Sequence, residues 1–145
     1  MSSPVSTSPP FVGISVGDSL PDLVIDVTAT RIVAGAIASR DFMPVHHDKT
    51  YANLQGAQDI FMNILSDTGY CSRFLTDWAG PEAMIRRLDI RLGVPLFPDT
   101  TLTYRGSVTA TREDGDEGIV EISLAGTTPL GDHVTGTAVL SLPLG

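Results

Sequence analysis

The chain has 145 residues and a mass of 15.4 kDa, with 42% hydrophobic and 18% charged residues, enough for one compact core and too little for several domains. Nine Lys+Arg against seventeen Asp+Glu leave a formal charge of −8 and a pI near 4.5, the wrong sign for gripping a nucleic-acid backbone. The lone Cys71 cannot close an internal disulfide, the N-terminus has no basic segment followed by an apolar one, and no apolar run reaches the ~18 residues of a membrane span, so a reduced, cytoplasmic protein is expected.

Residues 1–10 (MSSPVSTSPP) have almost nothing to bury and are expected to form a disordered arm ahead of a single domain over residues 11–145. Residues 24–28 and 30–39 are rich in β-branched side chains, and both stretches predict short strands. The strongest helical signal covers residues 59–78. There Ile60, Ile64, Cys71, Leu75 and Trp78 fall at near-helical intervals beside a second row of Phe61, Leu65, Thr68 and Ser72. Such a helix would be roughly 30 Å long, largely buried, and ended by Gly80 and Pro81. Gly69 in its middle costs about 1 kcal/mol relative to Ala, which predicts close approach of another backbone. Strands are predicted over residues 85–94, 100–111, 118–127 and 133–142, separated by turn chemistry in EDGDEG (113–118) and PLGD (129–132). Within the second of these, Leu102, Tyr104, Val108 and Ala110 share one face, while Thr101, Thr103, Arg105, Ser107 and Thr109 share the other. One long apolar helix and an antiparallel sheet with one wet face predict an α+β domain in which the curved sheet wraps the helix.

The chemistry concentrates in residues 38–48 (ASRDFMPVHHD). Pro44 fixes its own φ and keeps Met43 extended, so the turn from Asp41 to His46 is stiff. A carboxylate and an imidazole held there could share one water and deprotonate it. From the residues alone, the stretch also fits a polar surface loop with two histidines. A metal site of His46, His47 and Asp48 fits less well, because neighbouring side chains on an extended chain point opposite ways.

Residues 39–52 resemble the motif G-D-x-N-P-(L/I/V)-H-x(5)-A of the MaoC-like, R-specific (type 2) enoyl-CoA hydratases. Asp41, Pro44, Val45, His46 and Ala52 match, while Arg40 stands at the Gly position and Met43 at the Asn position. Residues 91–100 (RLGVPLFPDT) are similar to the family's R-F-x-x-P-V-x-P-G-D-T segment, without the Gly before Asp99. Residues 40–42, 45–48, 59–61, 63–65, 67–69, 76–81, 91–95 and 130–134 further resemble the branch of small subunits that serves bacterial steroid side-chain (cholesterol) degradation beside a larger MaoC-like subunit lacking the Asp/His pair.

The resemblance implies a hot-dog fold, with Asp41 and His46 as the catalytic pair. It implies hydration of a 17(20)-unsaturated steroid acyl-CoA to a 17-hydroxy acyl-CoA, without a metal or a cofactor, coenzyme A being part of the substrate. The implied partner is the larger subunit, in a heterodimer or heterotetramer, with an aldolase next in sequence and reached through that subunit. A generic homodimeric R-specific 2-enoyl-CoA hydratase and a non-catalytic hot-dog partner subunit are the rival readings. In the family a backbone N–H at the entry to the central helix stabilises the thioester oxyanion, which here points to Met62 or Asn63. Asp59 and Asn63 read equally well as cap residues of that helix. Lys49, Arg86, Arg87 and Arg91, with Arg105, are candidates for the CoA phosphates, though each also reads as an ordinary surface charge. His133 reads as a structural histidine, Phe74 and Trp78 as core, and Met62 and Met84 as either core filler or a steroid-accepting wall. The unpaired sheet edges and the apolar segment 95–98 (PLFP) are expected partner surfaces.

Overall fold

The computed structural model describes residues 7–145. The elements run β1 (Leu23–Val27), α1 (Ala29–Ala38), α2 (Lys49–Leu54), α3 (Ile64–Ala79), β2 (Met84–Leu92), β3 (Thr100–Asp114), β4 (Glu117–Thr128) and β5 (Gly131–Pro143), with 3-10 turns at Phe11–Gly13 and Pro44–His46. All five strands pair antiparallel in one sheet of order β1-β3-β4-β5-β2. The tight turns after Asp114 and Thr128 make β3, β4 and β5 a meander; β2 crosses to the far side of β5, and β1 takes the other edge. Register shifts between Ile85 and Arg87, Val108 and Ala110, and Gly126 and Thr127 add the bends that let long strands curl.

Alternation puts Leu102, Tyr104 and Val108 of β3 on the inner face, joined by Val120, Ile122 and Leu124 of β4 and Val134, Ala138 and Leu140 of β5. Against that face α3 buries Cys71, Phe74, Leu75 and Ala79, with the Phe74 ring stacked on Tyr104 at a centroid distance of 5.8 Å. The expected α+β hot-dog arrangement, a sheet packed round a long apolar helix, is the one the chain adopts. Phe74 is core as expected and Trp78 packs against its margin, whereas Met84 is 56% exposed at the far end of β2 and is not core filler.

Several local expectations are overturned. Residues 30–39 are not a strand: α1 runs from Ala29 to Ala38, capped by the Thr28 hydroxyl, which accepts from the Arg31 N–H. Four alanines supply helix propensity, and Ile32 and Ala36, four apart, bury one face, which outweighs the β preference of the branched residues. The central helix begins at Ile64 rather than at residue 59, because the Asn63 side chain caps it and the Met62 N–H is already donated to the Leu96 carbonyl at 3.0 Å. With 16 residues it is about 24 Å long. Gly69 meets no backbone: a Cβ there would touch nothing within 4 Å. The close approach is at Gly35, where a Cβ would lie 2.3 Å from the Ser66 hydroxyl, so it is Gly35 that lets α1 lie on α3. In the 95–98 segment Leu96 is fully buried and belongs to the core, which leaves only its neighbours for any partner. Of the expected arm, residues 1–6 lie outside the described residues. Ser8 is held, its hydroxyl accepting the Glu82 N–H just past α3.

Candidate active site

The turn that carries Asp41 is built by the end of α1. The Asp41 N–H is donated back to the Ala36 carbonyl at 2.9 Å, and Arg40 between them takes the left-handed φ of 57°. That conformation costs a residue with a Cβ about 1–2 kcal/mol and costs glycine nothing, which accounts for the Gly of the motif at this position. After Asp41 the chain extends through Met43 into the Pro44–His46 3-10 turn, and Asp48 then caps α2 by accepting the Tyr51 N–H. Both functional side chains therefore stem from backbone fixed on each side.

His46 is buried, and its Nδ1 lies 2.6 Å from the Phe61 carbonyl, with the Phe61 ring edge-on to the imidazole. A carbonyl only accepts, so Nδ1 donates to it, and Nε2 faces Asp41 Oδ2 at 3.3 Å. Asn63 is the third member. Its amide donates to Asp41 Oδ2 at 3.0 Å and to the Ser39 hydroxyl at 2.8 Å, while its Oδ1 accepts the Ser66 N–H. The bond from Asn63 holds the Asp41 carboxyl below its ordinary range; against it acts partial burial, and with it the Met43 N–H and the His46 charge. Met43, at the motif's Asn position, has no side-chain amide, and the amide that holds Asp41 is that of Asn63. Asp41 and His46 open onto a cavity of about 330 Å³ lined also by residues 61–64, by Leu92, Gly93, Val94 and Pro95, and by His133.

The expected oxyanion donor Met62 is corrected by its bond to Leu96, which occupies its N–H. Asn63 remains, together with Ile64, the first helical residue, whose N–H has no acceptor within α3; both line the cavity at the positive end of the helix. Among the basic candidates, Lys49 pairs with Asp59 at 3.1 Å, Arg86 with Glu117, Arg87 with Asp89 and Arg105 with Asp22. Arg86 and Arg87 lie six and five residues before Leu92 along β2, about 17–20 Å from the cavity lip. Among the described residues no carboxylate pairs with Arg91, which directly precedes Leu92. His47 is exposed and apart from the pair, and among the described residues no group of three or more His, Cys, Asp or Glu side chains is placed to hold a metal ion. Among the described residues no helix is long and apolar enough to cross a membrane. What the sequence does not reveal is the link from Asn63 to Asp41 and the pairing of His133 with Asp67, 66 residues apart.

No family model matches the chain. It is 47% identical over 127 residues, 88% of its length and 95% of the other protein's, to the 3-oxo-4,17-pregnadiene-20-carboxyl-CoA hydratase beta subunit of Mycobacterium tuberculosis. Its fold is similar to a chain of the ChsH1-ChsH2 complex from that organism, with a TM-score of 0.83, 48% identity, and coverage of 88% of this chain and 98% of that one. It is also similar to the (R)-hydratase from A. caviae involved in PHA biosynthesis, with a TM-score of 0.80, 26% identity, and coverage of 90% and 98%.

Proposed function

The chain belongs to the MaoC-like enoyl-CoA hydratase family, and from that membership we propose that it is the small catalytic subunit of a steroid enoyl-CoA hydratase. Its substrate is an acyl-CoA unsaturated between ring carbon 17 and side-chain carbon 20, and its partner a larger MaoC-like subunit. The observation that carries the reading is the Asp41–His46 pair, 3.3 Å apart at the wall of a cavity and oriented by Asn63.

Water held between Asp41 Oδ2 and His46 Nε2 attacks the β-carbon of the enoyl thioester as Nε2 takes its proton. Electron density moves to the thioester oxygen, which accepts hydrogen bonds from the N–H groups of Asn63 and Ile64. The proton then returns from the pair to the α-carbon, so that one water is added and no group is left changed. General acid/base chemistry of this kind contributes roughly 10²- to 10⁴-fold, and an oxyanion donor about 10²- to 10³-fold. Phe42, Met43, Ile64 and Leu65 are apolar and 47–65% exposed beside the cavity, which supports an apolar acyl group and a covering subunit. Strand β2 closes one side of the sheet, and among the described residues nothing pairs with its outer edge, a second support for a partner. Arg91, one residue before the cavity residue Leu92, is proposed for the CoA phosphates ahead of Lys49. Hydration at a ring carbon yields a tertiary alcohol that cannot be oxidised to a ketone, so the next step is a retro-aldol cleavage and an aldolase consumes the product.

The test is a side-by-side assay of the chain, alone and with the larger subunit, on the steroid enoyl-CoA and on crotonyl-CoA. A preference for the steroid of at least about tenfold in kcat/KM, about 1.4 kcal/mol, is expected of the pair. Equal or reversed preference assigns the chain to hydration of linear acyl chains.

A further inference from the structure

Beneath the catalytic cavity lies a second acid–imidazole pair with no part in the chemistry above. Asp67, in the first turn of α3, is fully buried, and its Oδ1 lies 2.9 Å from His133 Nε2, while its Oδ2 has no partner among the described residues. His133 is 2% exposed, and its Nδ1 lies 2.6 Å from the Val94 carbonyl. That carbonyl can only accept, so Nδ1 donates; Nε2 faces a carboxylate, so a second proton lies between ring and acid. Burying such a pair gains a core little or nothing over apolar side chains of the same size. Its location is what distinguishes it.

The pair joins the two walls of the cavity. On one side, Gly93 donates to the His133 carbonyl at 2.7 Å, Val94 donates to the Asp132 carbonyl at 3.0 Å, and the His133 ring holds the Val94 carbonyl. A Cβ on Gly93 would lie 2.2 Å from the Asp132 carbonyl oxygen, so this lip has no slack. On the other side, the Asp67 N–H is donated to the Asn63 carbonyl at 3.2 Å, and the Asn63 amide holds Asp41. A continuous chain of contacts thus runs from the lip at Val94 through His133, Asp67 and Asn63 to the catalytic carboxylate.

We propose that Asp67 and His133 are positioning residues for the hydration step: the protonated ring braces the lip against the first turn of α3 and so fixes the gap between Asp41–His46 and the helix N–H groups. This rests on the hydratase function proposed above. Burial is the largest influence on the ring and opposes its charge, but the hydrogen bond and charge of Asp67 and the Val94 carbonyl together raise its pKa. The other titratable groups near the pair are Cys71 of α3, pushed up by burial to about 11, and Tyr104 of β3, pushed up further; neither ionises near neutrality. Asp41 and His46 face it across the cavity, and Asp132 and Arg91 flank it in the chain and on the paired strand.

The experiment uses the full chain with its larger subunit and two variants, Asp67→Asn and the apolar double variant Asp67→Leu/His133→Phe. Both retain Asp41, His46 and the Asn63 and Ile64 N–H groups; the double variant alone changes a cavity-lining side chain, His133, and Asp67→Asn leaves the lining intact. Expected for both is a fall in kcat of about 10- to 100-fold with KM changed far less, as for a misplacement of about 1 Å. In wild type kcat declines as pH rises through the His133 pKa; that limb shifts to lower pH in Asp67→Asn and is absent from the double variant. Amide hydrogen exchange at Gly93 and Val94, which needs no turnover, should accelerate in both. Wild-type kcat, pH profile and exchange in a folded double variant would overturn the proposal while leaving the hydratase function standing. An inactive wild type would instead count against that function, with exchange still deciding whether the pair braces the lip.

Discussion

Asp41 and His46 converge because the left-handed Arg40 and the Pro44 turn aim two nearby side chains at one point, and Asn63, from the start of another element, locks the carboxylate there. Asp41→Asn and His46→Gln should each lower kcat by about 10²- to 10⁴-fold with assembly intact, as stopped-flow loss of enoyl absorbance would record. His47→Ala, at an exposed position, should leave turnover near wild type. His46 is 7% exposed under the Phe61 ring, so His46→Ala is the poorer test, losing packing as well as chemistry. The proximity of Asp41 and His46 was legible because its geometry is local and proline imposes it. Asn63 was legible only as a cap, since nothing in a linear reading brings residue 63 to residue 41; that contact forms when α1 packs on α3.

Helix α3 and its neighbour α1 show what a one-dimensional pattern carries. The helix and the burial of Cys71 and Leu75 follow from the long periodic pattern, but Ile64 and Leu65 of the expected stripe are about half exposed and Asp67, Phe74 and Ala79 complete the buried face; the start of the helix is set by a cap and by the bond between Met62 and Leu96. Helix α1 was hidden by its Ile, Val and Thr residues, whose strand preference is weaker than the gain from burying Ile32 and Ala36. The two helix glycines then give opposite expectations. Gly69→Ala, with open space round the new methyl, should raise stability by about 0.5–1 kcal/mol through helix propensity and a less flexible unfolded chain. Gly35→Ala, aimed at the Ser66 hydroxyl 2.3 Å away, should lower stability by about 1 kcal/mol or more, and Ser66→Ala in the same chain should restore part of it. Urea unfolding of the four proteins decides both.

Across the whole molecule, two groups tie stability to pH in opposite senses. Asp41 is held below its ordinary 3.8, so its contribution is present above that pH and is lost as pH falls through its folded-state value. His133 is held above its ordinary 6.5, so its contribution is full below 6.5 and is lost as pH rises through the raised value. Unfolding free energy should therefore fall above pH 6.5 in the wild type relative to Asp67→Leu/His133→Phe, and a parallel pH dependence would contradict that assignment. The general architecture was legible from one apolar helix and a run of alternating strands, but the edge positions of β1 and β2 were not, because strand order depends on which neighbour completes the inner face. The assembly meets its most direct test in water labelled with oxygen-18. Wild-type chain with its larger subunit, given the 17(20)-unsaturated steroid acyl-CoA, should yield by mass spectrometry an acyl-CoA heavier by one labelled water, and the Asp41→Asn complex should yield at most about one hundredth as much in the same time. No water adduct from the wild type, or equal adduct from the variant, would contradict hydration at Asp41 and His46.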